Sequence, residues 1–175
     1  LGNLVLFALD QLSVRPTDAI RIMRDMLNIK SHLLPMSDNP TTLMAKTVAL
    51  PGGEANILVG ELSIDDTDED IDHLYLEPQV LAGPEVVSSA GSFMTSIMPS
   101  LLVANIRDAI NQSSVPLILV VNIKEEHLGG DLFLTFAKQL ELLEKAGIRS
   151  LDHILWPANR DLSAQDLAKY PITQV

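Results

Sequence analysis

Apolar positions divide the chain into three stretches of different period. From Leu4 to Leu12, the residues Leu4, Val5, Ala8, Leu9 and Leu12 recur at helical spacing. Gly2-Asn3 stand just before them, where Asn3 can cap the open N–H groups of a first turn. After Ser13-Val14-Arg15-Pro16, Thr17 is placed as the N-cap of a second helix with an Ile20, Met23, Leu27 stripe, Ala19 and Met26 alongside. So short a link predicts an antiparallel helix pair.

The middle third changes to strand-like runs. His32-Leu33-Leu34-Pro35 reads as a short strand entering the loop Met36-Ser37-Asp38-Asn39-Pro40. Leu43 to Leu50 and Ile57 to Leu62 flank Pro51-Gly52-Gly53-Glu54, which predicts a hairpin. The acidic stretch Asp65 to Asp70 is expected as an exposed loop, followed by a strand from Ile71 to Leu76.

The last third alternates strand and helix. Val86-Val87-Ser88-Ser89 is expected as a strand ending at a turn at Gly91, and a helix from Met98 or Pro99 to Asn111 follows. Leu117 to Val121 is a continuous apolar run, the pattern of a parallel strand buried on both faces. A helix from an Asp131 cap to Ala146, burying Leu132, Phe133, Phe136, Leu140 and Leu143, ends at Gly147; Glu141 and Lys145 pair along it. His153 to Trp156 is the next strand. This order predicts one α/β domain over residues 1–175, with a Rossmann-like, doubly wound, mostly parallel sheet and an inserted β-hairpin element.

Composition narrows the partners. Nearly half of the 175 residues are apolar but few are aromatic, so aliphatic side chains must fill the core. A formal net charge of −11 argues against nucleic acid or an anionic membrane as the main partner. A small phosphorylated ligand stays compatible with it, because clustered backbone N–H groups bind anions inside acidic proteins. There is no cysteine, so disulfides and thiolate chemistry are excluded. No apolar run approaches the roughly 20 residues of a membrane span. The start lacks both a basic signal-peptide region and an initiator Met. The expectation is a cytoplasmic chain that begins inside a longer protein, with self-association open.

The foremost chemical candidate is Gly91-Ser92-Phe93-Met94-Thr95-Ser96, after a strand and before a helix. Ligands of open α/β sheets sit beyond the carboxyl ends of the strands, and Gly91 lets the backbone approach closely. Ser92, Thr95, Ser96 and the helix start could then donate to phosphate or carboxylate oxygens. Ordinary helix capping explains the same residues. Gly91→Val is expected to exclude an anion with little effect on stability. Asn122, at the end of the apolar strand, is either a site residue or a holder of the following loop. Ser37 and Asp38 line a candidate pocket or form an Asx-type turn before Pro40. His32, His73, His127 and His153 carry no metal spacing, and Asp72 and His73, as strand neighbours, should point apart. The acidic run lacks the glycine and terminal glutamate of a calcium loop.

Several segments resemble a known family in order. Gly91 to Val103 (GSFMTSIMPSLLV) is similar to the GPGSLYTSxLPNLLV signature of the YvcK-like gluconeogenesis-factor branch of the CofD (2-phospho-L-lactate transferase) superfamily. Leu1-Gly2-Asn3-Leu4 looks like the end of its GHxxGNL motif, and His32 to Pro40 like its VLPxSDxP stretch. Val59-Gly60-Glu61, Leu76-Glu77-Pro78 and Val120-Val121-Asn122 match VxGE, LxP and VCN segments. The resemblance implies the C-terminal portion of a longer CofD-like domain that binds a UDP-sugar without catalysis and links carbon metabolism to cell-wall growth and cell shape. Its ligand-binding residues would be Gly2, Asn3, Gly91, Ser92, Thr95, Ser96 and Asn122. A second implication is a transferase moving a phospholactyl group from a guanylated donor to a deazaflavin with magnesium; a third is a non-binding remnant. Three departures stand out. The family's GGGTG loop would precede Leu1, Ser89-Ala90 replace its Gly-Pro, and Ile123 to Asp131 replace its MTQPGET loop.

Overall fold

The computed structural model describes residues 2–12, 15–30, 37–49, 51–81, 91–129 and 133–175. The expected strands at 32–35 and 86–89 and the Asp131 cap fall outside these residues.

Helix α1 runs Gly2–Leu12 and packs on α2, Pro16–Met26. Asn3 lies within the first turn of α1 instead of preceding it. Pro16 opens α2, where its missing N–H costs nothing and its fixed φ suits a helix. Thr17 is therefore not the cap.

Strand β1 (Thr42–Thr47) pairs antiparallel with β2 (Ile57–Val59), the expected hairpin, and on its other side with β3 (Ile71–Glu77). The second hairpin strand is shorter than expected because Gly60, at φ 81°, turns the chain out of β2 into α3, Gly60–Asp65. The segment Asp65–Asp70 is not wholly exposed: Thr67 is buried, and its hydroxyl accepts the Glu69 N–H.

The helix expected from Met98 to Asn111 is interrupted. A π-helical turn spans Phe93–Ile97, α4 spans Met98–Leu102, and α5 spans Ala104–Gln112. Pro99 explains the wide turn, since it lacks the N–H that would bond one turn back. Both Ser96 and Ile97 donate to the Ser92 carbonyl, and Met98 donates to that of Phe93. Val103 adopts an extended conformation and is buried, which separates α4 from α5.

The parallel sheet has the order β4 (Ile118–Val120), β5 (His153–Trp156), β6 (Ile172–Gln174). Helix α6 (Phe136–Lys145) crosses from β4 to β5, and α7 (Ala164–Lys169) from β5 to β6. This is the α/β alternation expected of a Rossmann-like chain, with the hairpin sheet as the inserted element. Strand β4 departs from expectation: Ile118 and Val120 are exposed, and Leu119 on its other face is half-buried. Among the described strands it pairs with β5 alone, as an edge strand. Helix α6 begins later than expected, with the Thr135 hydroxyl accepting the Lys138 N–H as its cap. Phe133 is partly exposed and stacks on His127 instead of joining the core.

The main core lies between the antiparallel sheet, the π-turn with α4, and α6, where Leu74, Leu76, Met94, Met98 and Leu142 meet. Val121, Phe136, Ile154 and Trp156 form a smaller cluster against the parallel sheet. The two clusters share Leu119, Leu140 and Leu151 at their margins, which joins the main core to the parallel sheet.

Candidate functional site

The end of β4 and the π-turn meet at one carboxylate. Val121 continues β4 into the core, and Asn122 follows at its carboxyl edge. The loop after Asn122 brings Glu126 against the Gly91 turn. The Phe93 N–H donates to both Glu126 carboxylate oxygens at 2.7 and 2.8 Å. The Ser92 hydroxyl donates to Oε2 at 3.2 Å, and Asn122 Nδ2 donates to Oε1 at 2.5 Å. Asn122 Nδ2 also reaches the Gly91 carbonyl at 3.1 Å. Gly91, Ser92 and Asn122 are thus brought together around an anionic group. Sequence reasoning missed that group, Glu126.

Thr95 and Ser96 share the turn but act differently. The Thr95 hydroxyl oxygen is buried with no hydrogen-bond partner among the described residues. Ser96 is exposed and packs on Gly91: a Cβ at Gly91 would lie 2.5 Å from Ser96 Cβ and 2.7 Å from its Oγ. The glycine is therefore required by the turn itself, and the expectation that Gly91→Val leaves stability nearly unchanged is corrected.

The loop carrying Glu126 is fastened at several points. Arg160, after β5, donates from Nη1 to the Asn122 carbonyl at 2.9 Å and lies 3.4 Å from Glu125. Its guanidinium sits over the Trp156 ring at 4.9 Å, and its Nε is buried without a partner among the described residues. The Glu126 carbonyl accepts the Leu134 N–H at 2.9 Å, and the Gly129 N–H donates to the Thr67 carbonyl at 2.6 Å. A Cβ at Gly129 would fall 2.0 Å from the Asp66 carbonyl oxygen, so only glycine fits there. Arg160 carried no sequence signal beyond its place after a predicted strand.

The surroundings are acidic. Burial, with Glu61, Glu126 and Asp66 nearby, holds the Asp65 carboxyl above its ordinary range. Behind the π-turn lies a cleft of about 290 Å³ lined by Ile71, Met94, Leu128 and Phe133. Lys138 borders it, 2.9 Å from Asp70 and 3.4 Å from Glu141.

The other expected site residues sit on different elements. A Cβ at Gly2 would meet nothing within 4 Å, and Asn3 follows it in α1. The Asp38 carboxylate accepts the Thr17 N–H at 3.0 Å and the Thr17 hydroxyl at 2.5 Å. Those two bonds hold its carboxyl below the usual carboxylate range. Asp38 is the cap of α2, supplied from 21 residues away. The Ser37 hydroxyl accepts the Asn39 N–H at 3.0 Å, the local turn that was one of its two readings. Asp72 and His73, expected to diverge, touch at 2.8 Å, with Lys145 drawing Asp72 sideways. Among the described residues no group of three His, Asp or Glu side chains gathers to hold a metal.

The sequence profile of the family "2-phospho-L-lactate transferase CofD" matches residues 1–174. A Vibrio cholerae relative described as a "putative gluconeogenesis factor" is 36% identical over 83% of this chain and 51% of its own length. A Yersinia pestis protein of the same description is 33% identical over 93% of this chain and 55% of its own. The gluconeogenesis factor of Listeria monocytogenes is 29% identical over 89% of this chain and 50% of its own. The chain thus spans about half the length of these curated relatives. A solved structure of a UPF0052 family member from Bacillus halodurans superposes with a TM-score of 0.74 at 25% identity, covering 99% of this chain and 60% of that one. No helix among the described residues is long and apolar enough to cross a membrane. Together these likenesses place the chain, of gluconeogenesis-factor type, in the CofD family.

Proposed function

We propose that the protein is a nucleotide-sugar-binding regulator of the gluconeogenesis-factor type, tied to carbon metabolism and cell-wall growth and acting in the cytoplasm. The observation that carries the ligand is the convergence of the Phe93 N–H, the Ser92 hydroxyl and Asn122 Nδ2 on one anionic group at the carboxyl edge of β4. Such a set of donors suits a phosphate oxygen of a UDP-sugar, and Thr95 adds a hydroxyl with unused bonding capacity. Gly91, Ser92, Thr95, Ser96 and Asn122 would form the phosphate side of the site. Gly2 and Asn3, at the start of α1, would complete the ligand-binding set that the family resemblance implies.

Calorimetric titration with UDP-N-acetylglucosamine tests this reading. Saturable heat in the wild type, weakened about ten- to hundredfold in Asn122→Ala, is expected, since losing one charge-assisted hydrogen bond costs about 1.5–3 kcal/mol. Absence of heat together with an unchanged melting temperature would contradict it.

One observation favours a second reading. The cradle's donors are already engaged by Glu126. A copy that keeps the fold but has filled its own site would show the same contact, and the titration separates the two.

A further inference from the structure

We infer that Glu126 is an exchangeable internal occupant of the cradle, and that it selects for ligands able to displace it. The inference rests on the nucleotide-sugar reading above and adds the group that controls entry.

The donor protons of the cradle are few. The Phe93 N–H and the Ser92 hydroxyl each carry one donor proton, and the Asn122 amide carries two. The Phe93 and Ser92 protons go to Glu126, while Asn122 serves both Glu126 and the Gly91 carbonyl. A phosphate oxygen therefore has no free proton to accept in this part of the cradle. It can bind these groups only by taking the place of the carboxylate.

Charge repulsion also opposes binding of a phosphate alongside Glu126. A phosphate brought in beside an ionised Glu126 would add charge to a region already holding Glu61, Asp65 and Asp66. Two anions at hydrogen-bonding separation from the same donors oppose one another strongly. Exchange keeps the number of anionic groups in the cradle at one. Co-binding does not.

The Glu126 side chain can move without its loop. The Glu126 backbone is held apart from its side chain, by Leu134 on its own carbonyl, by Arg160 on Asn122, and by Gly129 on Thr67. The carboxylate can thus leave by rotation about its side-chain bonds, between staggered rotamers, while the loop stays in place. The donors on the π-turn are equally fixed by the Ser92 carbonyl bonds to Ser96 and Ile97. Exchange needs one side chain to move and no element to shift.

The test compares wild type, Glu126→Ala and Glu126→Gln in titrations with UDP-N-acetylglucosamine and with inorganic pyrophosphate. Removing the competing carboxylate should tighten both probes tenfold or more in the alanine variant, with a smaller gain in the glutamine variant. Should Glu126→Ala not fold, Glu126→Gln carries the comparison in the same direction. The Phe93 amide resonance of the ligand-free protein is a second readout, expected to move in both variants because its acceptor has changed. Wild-type binding that the variants leave unchanged or weaken overturns the exchange and leaves the ligand reading standing. No binding by any of the three proteins overturns the ligand reading, and the exchange with it.

Discussion

At Gly91 a single added carbon would collide with Ser96, which ties one residue to both the shape and the chemistry of the turn. Gly91→Val should lower unfolding stability by about 1–3 kcal/mol, the usual range for forced overpacking, read as a shift in the urea midpoint. A midpoint equal to wild type would show that Ser96 yields freely. Gly129 is tighter still: its added carbon would meet backbone at Asp66 and Thr67, which cannot rotate away. Gly129→Ala should therefore destabilise more than Gly91→Ala, where the neighbour is a serine side chain. The reverse order in chemical unfolding would contradict the packing described. Asp38→Ala should cost about 0.5–2 kcal/mol through loss of the α2 cap, and Asp38→Ser or Asp38→Asn should restore part of it. No restoration would mean that the carboxylate serves something other than the helix end.

The legibility of the site differs residue by residue. Gly91, Ser92 and Asn122 were readable because a glycine turn after a strand and an asparagine at a strand end are local patterns. Glu126 was not: a glutamate in an acidic loop looks like a solvated charge until the fold brings the loop back 33 residues to Phe93. Asp38 shows the same limit, since a cap supplied from 21 residues away has no local signature.

Between elements, α6 is joined to β3 and the turn before it by charged side chains. Lys145 contacts Asp72 and lies 2.8 Å from Glu141, while Lys138 bridges Asp70 and Glu141. The Lys145 bond, followed by the His73 contact, holds the Asp72 carboxyl down at about 2, against an ordinary 3.8. A depressed carboxyl adds stability above its unfolded pKa and loses it as pH falls through the folded one. The Asp72 contribution should thus be full above about pH 4 and gone near pH 2. Asp65, pushed upward by burial, acts in the opposite sense, favouring the fold as it takes up its proton. Comparing wild type with Asp72→Asn isolates the first effect. The gap between their urea midpoints should narrow from pH 5 to pH 2, and a gap that stays constant would contradict the Lys145 link. Exposure keeps the effect small.

Element boundaries failed where one residue outweighed the period. The apolar spacing from Met98 to Asn111 is continuous, yet Pro99 widens the turn before it and a buried Val103 breaks it in two. Leu117 to Val121 reads as buried on both faces, yet Ile118 and Val120 are exposed, because burial depends on neighbouring elements and not on the strand's own sequence.

At the scale of the whole molecule, the sequential order of helix and strand was enough to anticipate an α/β chain with a parallel sheet and an inserted hairpin. The contact between the halves was not legible. It arises because the π-turn and α4 are apolar on several sides and fill the space between the antiparallel sheet and α6. That packing carries the Gly91 turn to the end of β4, and the candidate site exists only through it. In the proposed exchange, the Phe93 N–H, which donates to Glu126, is the donor that a ligand phosphate would take over. The most direct measurement is the Phe93 amide resonance during titration of the wild-type protein with UDP-N-acetylglucosamine. The account predicts a saturable shift at Phe93, with Asn122 side-chain resonances moving at the same ligand concentration; binding detected by calorimetry that leaves Phe93 unmoved would contradict it.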